Sequence, residues 1–427
     1  MVTDLAIKDY RPRIADGILR KKLASAGAVV IRGPKWCGKT ETALQAAKSA
    51  LMMQDPDEKG NNLLLAEARP SLLLQGEKPR LLDEWQEAPQ LWDAVRFAVD
   101  RERAKGQYIL AGSATPTSKP SHSGTGRFAF MDMLTMSLAE SGDSTGQVSM
   151  ARLFEQGGEG IEAHSDSTIE TVAALTCRGG WPAVALDEVS EASLETAYEY
   201  LTAIAEEDIS RPDNVARNSQ YARVIMREYA RCTATQTTHA TIRKDLKSRG
   251  TELSRETVDT YIATLRKLYV VQDLSAWEPS LHARSRITKT PKRHFADPSI
   301  AVAALGASPA SLLKDMSTFG LLFESLCVRD LRVYAQPLSG EVFHYRDETG
   351  LEADAVVVLR DGSYALFEMK MSARLVEEGA QSLKKVADKI DTGVMGAPSF
   401  CAVLTPGGYA YRRDDGVYVI PITCLGA

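Results

Sequence analysis

The run Gly33-Pro34-Lys35-Trp36-Cys37-Gly38-Lys39-Thr40 constrains this chain more than any other feature. It fits the spacing G-x-x-x-x-G-K-[ST] at every fixed position. An apolar, β-like run, Ala28-Val29-Val30-Ile31, precedes it, and a helix-compatible run, Glu41 to Lys48, follows it. Strand, glycine loop and helix in that order give the spacing its physical meaning. Glycines let backbone N–H groups wrap a phosphate at the positive end of a helix, where a Cβ would obstruct the loop. Lys39 is expected to reach the β- and γ-phosphates of ATP, and Thr40 to ligate Mg²⁺. Gly33, Pro34, Lys35, Trp36, Cys37, Gly38 and Glu41 complete the expected nucleotide-binding set.

Hydrolysis requires a second apolar strand that ends in acid, and Arg80-Leu81-Leu82-Asp83-Glu84 supplies one. Asp83 suits the Mg²⁺ shell, and Glu84, one residue beyond it, is placed to orient an attacking water. A third strand, Gln107-Tyr108-Ile109-Leu110-Ala111, ends in Gly112-Ser113, which makes Ser113 the candidate γ-phosphate sensor. A Ser/Thr/Gly/Pro-rich loop, Ala114 to Gly126, then delivers Arg127 at the start of another apolar run. Arg127 is either an arginine finger for a neighbouring subunit's ATP, which requires a homo-oligomer, or a surface charge at a strand start.

At 427 residues, 44% hydrophobic and 25% charged, the chain has the composition of two or three globular domains. No apolar stretch approaches the roughly 20 residues of a membrane span, and Met1-Val2-Thr3-Asp4-Leu5 lacks a signal layout, so no membrane partner and a cytoplasmic location are expected. The six cysteines form no C-x-x-C pair and the six histidines no ligand-spaced cluster, which leaves disulfides and structural zinc without support. The net charge of −5 argues against bulk electrostatic coating by nucleic acid and leaves room for a local basic face.

Three segments differ in grammar. Residues 1–190 alternate strand-like and helical runs, an α/β pattern with a largely parallel sheet, and contain the tight turn Arg178-Gly179-Gly180-Trp181-Pro182. Residues 191–305 are helical. Leu194, Tyr198, Leu201, Ile204 and Ala205 share one helical face, and two short helices around a glycine turn, from Ala240 and from Ser254, look like a helix-turn-helix followed by wing-like material. From Thr241 through Arg293 there are twelve Lys/Arg against six Asp/Glu, and Arg284, Arg286 and Lys289 are the expected DNA-phosphate contacts, unless the unit only relays motion. Residues 306–427 place Asp354 on one strand and Glu368 and Lys370 on the next, with Asp361-Gly362 turning between them. Asp354 and Glu368 are expected to converge on one metal, with the Lys370 ammonium beside it for phosphate chemistry. Glu324 and Gln381 are further candidates for that site.

Taken in order, these stretches resemble one family, the prokaryotic AAA-type P-loop ATPases with a winged-helix middle and a C-terminal nuclease-like domain of the PD-(D/E)xK kind. Tyr10-Arg11-Pro12-Arg13, the glycine loop, Leu82-Asp83-Glu84-Trp85-Gln86, Leu110-Ala111-Gly112-Ser113, Gly180-Trp181-Pro182, Thr257-Val258-Asp259-Thr260-Tyr261, Lys292-Arg293-His294-Phe295-Ala296-Asp297 and the Glu352/Asp354/Glu368/Lys370 set carry the resemblance. It implies an ATPase core, a winged-helix middle, a restriction-endonuclease-like α/β end, and a Gly-Gly-aromatic-Pro turn that brings Pro182 to the purine. Lys35-Trp36-Cys37 departs from the usual loop, and these side chains are expected to point away from the phosphates. Two functions follow as expectations: an ATP-driven machine that engages DNA and either cuts or holds it, or an ATP/ADP-controlled switch whose last domain binds a protein.

Overall fold

The apolar runs that end in glycine or acid assemble into one parallel sheet. The computed structural model describes residues 10–113, 124–156, 161–213, 215–279, 290–390 and 392–427. The chain divides into two units, one of residues 1–135, 210–216 and 267–269, the other of 136–209, 217–266 and 270–427. The first contains α1 (Ile14–Leu23), β1 (Ala28–Arg32), α2 (Lys39–Leu44), β2 (Ser49–Met52), α3 (Lys59–Ala68), β3 (Arg80–Asp83), α4 (Gln90–Glu102), β4 (Tyr108–Gly112) and β5 (Phe128–Asp132). The sheet order is β2-β3-β4-β1-β5, and every neighbouring pair is parallel.

Side chains alternate across a strand, so a sheet covered on both faces needs continuous apolar strands. Ala28, Val30, Leu82 and Leu110 face α4, where Leu91, Trp92, Val95 and Val99 pack on them. Val29, Ile31, Leu81 and Ile109 face the other way, onto Ala15, Leu19 and Leu23 of α1 and Ala43 of α2. The helix expected over Glu41 to Lys48 stops at Leu44, because the chain turns at once into the edge strand β2.

The second unit begins with α5 (Leu138–Ser141), β6 (Val148–Ser149), α6 (Met150–Gln156), β7 (Ala163–Ser165), α7 (Ile169–Arg178) and α8 (Pro182–Ala185). Helices α9 (Glu191–Glu206), α10 (Ser219–Arg231), α11 (His239–Ser248), α12 (Arg255–Lys267), α13 (Pro298–Leu305) and α14 (Pro309–Leu312) follow. Leu201, Ile204 and Ala205 of α9 are buried as the periodicity predicts, while Tyr200 is buried in preference to Tyr198. Ser254 accepts from the Thr257 N–H at 3.0 Å and so caps α12. After α12, Val271 bridges Phe295 and Leu274 bridges Lys292, both antiparallel.

The chain continues through α15 (Met316–Ala335), β8 (Glu341–Arg346), β9 (Glu352–Val358), β10 (Tyr364–Met369), α16 (Val376–Lys389), α17 (Thr392–Met395), β11 (Phe400–Thr405), β12 (Gly408–Arg412), β13 (Tyr418–Pro421) and β14 (Leu425–Gly426). A mixed sheet runs β7-β12-β13-β11-β10-β9-β8, and β14 pairs in parallel with β6. Val376, Ala380, Leu383 and Val386 of α16 cover Val356, Leu366, Val403 and Val419. Two strands from within residues 1–190 thus pair with strands of the chain's last twenty residues. Among the described residues no helix is long and apolar enough to cross a membrane.

Candidate functional site

The loop between β1 and α2 has the conformation its glycines allow. A Cβ on Gly33 would stand 2.1 Å from the Met133 carbonyl oxygen, and Gly38 heads α2 at φ +97°, where an L side chain is strained. Lys39 is buried, and its ammonium donates to the Gly33 carbonyl at 3.1 Å and the Pro34 carbonyl at 2.7 Å. Cys37 points inward toward the Met133 carbonyl, while Trp36 projects outward with 58% exposure. Thr40 donates to Asp83 at 2.9 Å, which joins the helix start to the end of β3. Burial pushes the Asp83 carboxyl up to about 6, against the Thr40 hydrogen bond and the Lys39 charge. Burial also raises Glu41.

Glu84 takes a left-handed backbone conformation, φ +51°, immediately after β3. Such a conformation in a non-glycine residue has an energetic cost and turns the side chain out of the strand's alternation. Its carboxylate accepts from Gln86 Nε2 and lies 3.4 Å from the Ser113 hydroxyl at the end of β4. Asp83, Glu84 and Ser113, expected from sequence, therefore come together at adjacent strand ends. Arg127 does not join them. It donates to Asp100 of α4 at 2.7 Å and to the Thr125 carbonyl at 2.9 Å.

Two residues of this site had no assigned role in the sequence. Arg13 is buried, with its guanidinium donating to the Cys37 carbonyl at 3.0 Å and the Leu134 carbonyl at 3.1 Å, so it pins the loop from behind. Gln86 fixes the Glu84 rotamer. Both lie in stretches that carried the family resemblance, which pointed to neither role. Tyr10 adds a further contact, donating to Asp16 at 2.7 Å and lying 2.9 Å from the Thr42 hydroxyl.

In the second unit, Pro182 is the first residue of α8. The turn before it is a packing centre: Gly180 N–H donates to Asp297 at 2.9 Å, and the Trp181 indole donates to Ser299 at 3.0 Å. Asp297 also pairs with Arg329 at 3.1 Å. Arg284, Arg286 and Lys289 lie outside the described residues. Of the other basic residues between Thr241 and Arg293, Lys247, Arg249, Arg255, Arg266, Lys292 and Arg293 are in ion pairs with acids of the same unit. Tyr261 is buried, its hydroxyl accepting from Asn218 N–H at 2.8 Å, and so supports the start of α10.

The acidic set of the last segment is brought together, with a lysine the sequence reading did not include. Lys292 places its ammonium 2.7 Å from Glu324, 2.6 Å from Glu352 and 3.3 Å from Asp354. Asp354 also accepts from Met369 N–H at 2.8 Å. Glu368 pairs with Lys370 at 3.1 Å, and Lys370 lies 3.4 Å from Glu378. Gln381 instead donates to Glu377 at 2.8 Å. With one ammonium for three carboxylates, burial and the Asp354 charge hold Glu324 well above the usual carboxylate range. Burial, then Asp354, pushes Glu368 up to about 8. Burial opposes the Lys292 charge, yet Glu324, Asp354 and Glu352 outweigh it and hold the ammonium on. Among the described residues no group of three or more His, Cys, Asp or Glu is arranged to hold a metal ion.

Three family models match this chain. Residues 25–142 match the model of an AAA domain, residues 169–311 a domain of unknown function, DUF8612, and residues 319–425 a second, DUF4143. Uncharacterised proteins of Mycobacterium bovis and Mycobacterium tuberculosis are each 22% identical over 416 residues, 96% of this chain and 83% of the relative. Among solved structures, a Walker-type ATPase of Pyrococcus abyssi is 13% identical with a TM-score of 0.41, covering 69% of this chain and 96% of its own. A RuvB variant of Thermotoga maritima is 14% identical with a TM-score of 0.29, covering 61% of this chain and 92% of its own. The glycine loop, the parallel sheet and the matched domain together support an AAA-type P-loop ATPase core in this chain.

Proposed function

We propose that the chain binds and hydrolyses ATP at the strand ends of its first unit. The observation that carries this reading is the 2.9 Å hydrogen bond from Thr40 to Asp83, which brings a loop hydroxyl and a strand-end carboxylate to one point beside Lys39. These residues fit Mg²⁺, because a hydroxyl and a carboxylate are the hard oxygen donors that ion takes. When bound, Mg²⁺ supplies positive charge to the β- and γ-phosphate oxygens. Lys39 holds the same oxygens, and the N–H groups of the loop cradle the β-phosphate. Glu84, steadied by Gln86 and Ser113, orients the water, and Ser113 reads the γ-phosphate.

Lys39→Ala is expected to lose nucleotide affinity. Glu84→Gln is expected to keep ATP bound and lose about 100-fold or more of turnover, the scale of a positioned general base. Equal turnover in wild type and Glu84→Gln would remove Glu84 from the role. A finger role for Arg127, and the homo-oligomer it needs, requires that its Asp100 pair open.

The proposal extends to DNA through the second unit. The three-helix stretch α10 to α12 followed by two antiparallel bridges supports a winged-helix reading, and the order α15-β8-β9-β10-α16-β11 supports a restriction-endonuclease-like one. The second reading, a nucleotide-controlled switch with a protein-binding last domain, is favoured by the internal pairing of the middle segment's basic residues and by the ammonium inside the acidic cluster.

A further inference from the structure

The carboxylates of the last segment are arranged around a cation that the chain itself provides. Lys292 is brought in by the bridge to Leu274, and its side chain is 3% exposed. An ammonium has three N–H donors, and here three carboxylate oxygens, from Glu324, Glu352 and Asp354, lie at 2.6–3.3 Å. The other Asp354 oxygen is taken by Met369 N–H. Both Asp354 oxygens are therefore engaged. A divalent ion between Asp354 and Glu368 needs an Asp354 oxygen about 2.0–2.2 Å from its centre, and it would face the Lys292 ammonium as a like charge.

The sequence pattern and the structure disagree at this point. Asp354, Glu368 and Lys370 have the spacing of a metal-dependent nuclease site, but the residue that completes the cluster is a base from elsewhere in the chain. Glu368, whose side chain is 10% exposed, keeps Oε2 without a hydrogen-bond partner among the described residues. Its other oxygen pairs with Lys370, and neither is among the three carboxylate oxygens around Lys292.

We propose that Lys292 is the resident cation of this cluster, that it stands where the Asp354/Glu368/Lys370 pattern would otherwise place a divalent metal, and that the last segment is a non-cleaving domain. Its carboxylates then serve to fix Lys292, and with it the strand-like segment that carries Lys292, against α15 and β9. Taking the ammonium away leaves Glu324, Glu352 and Asp354 facing one another, with the Glu368 oxygen beside them. Lys292→Met therefore uncovers a divalent-cation site.

The test is a titration of the nucleotide-free full chain with Mn²⁺ alone, with bound ions counted by electron paramagnetic resonance. Wild type, Asp354→Asn, Lys292→Met and the double variant Lys292→Met/Asp354→Asn are compared. Any ion held at Asp83 in the first unit is common to all four and cancels. Wild type and Asp354→Asn should bind equal numbers of ions, Lys292→Met one more, and the double variant should return to the wild-type number. Mn²⁺ should also raise the melting temperature of Lys292→Met and leave that of wild type unchanged by comparison. Loss of an ion from wild type on Asp354→Asn, or a folded Lys292→Met with the wild-type count, would overturn the proposal. If Lys292→Met folds only with Mn²⁺, the ion has replaced the ammonium as proposed. If it folds under neither condition, the first pair decides, equal counts upholding the proposal and a lost ion overturning it.

Discussion

Arg13 shows how much of a site is invisible at the level of single residues. It donates to two loop carbonyls, one of them 121 residues away, and an approach of that kind leaves no periodicity or spacing to read. Lys39, Thr40, Asp83, Glu84 and Ser113 were legible because phosphate chemistry prescribes their types and their strand-end positions. Lys292 was legible as one more base in a basic stretch and as part of a stretch that carried the resemblance, but not as a buried cation, since a count of charges does not register burial. Removing Arg13 leaves buried carbonyls without a donor, at a cost of about 1–3 kcal/mol. Arg13→Ala is accordingly expected to weaken nucleotide binding by roughly tenfold, about 1.4 kcal/mol, in a fluorescent-nucleotide titration. Unchanged affinity would reduce Arg13 to a packing residue.

Among the elements, the central strands were the easiest to foresee. β1, β3 and β4 are covered on both faces and so have continuous apolar interiors, residues 28–31, 81–82 and 108–111, whereas β6, β7 and β14 have two or three residues each and offer no pattern at all. On α12, Ser254 caps the helix and Tyr261 turns inward to α10. The segment that follows carries a pH-sensitive group. His294 is buried, with Nδ1 3.1 Å from the Ser325 hydroxyl, and burial, then Arg332, Lys292 and His344, lowers its pKa well below 6.5. It is neutral in the fold, so below about pH 6.5 the unfolded chain takes up a proton that the fold refuses. Stability is expected to fall as the pH drops through that range and to level off above it, with a slope from this group of at most about 1.4 kcal/mol per pH unit. His294→Gln should flatten that slope in melting curves between pH 5 and 8, and an unchanged slope would assign it to other groups.

For the whole molecule, the expectation of three segments came from changes in composition. Strand pairing is less respectful of sequence order, because β6 and β7 find partners that composition does not point to. DNA engagement is a property at this scale, since phosphate contacts sum over a surface and release counterions. If the chain binds DNA through the expected residues, reversing Arg284, Arg286 and Lys289 should lower affinity, and flatten its dependence on salt, without altering ATP affinity. Retention of DNA by that variant in a filter-binding series from low to high salt would move the contact elsewhere.

The pairing of β14 with β6 also sets a schedule for synthesis. Ser149 donates to the Ala427 carbonyl across 278 residues, and β6 waits for a partner made that much later in translation. At about 5–20 residues per second, that wait is on the order of 15–55 s on the ribosome. During it, residues from 136 onward hold strands without neighbours, the state in which unpaired edges recruit other chains. The second unit therefore closes only once β14 has been made, and a ribosome that stalls before it leaves the unit open.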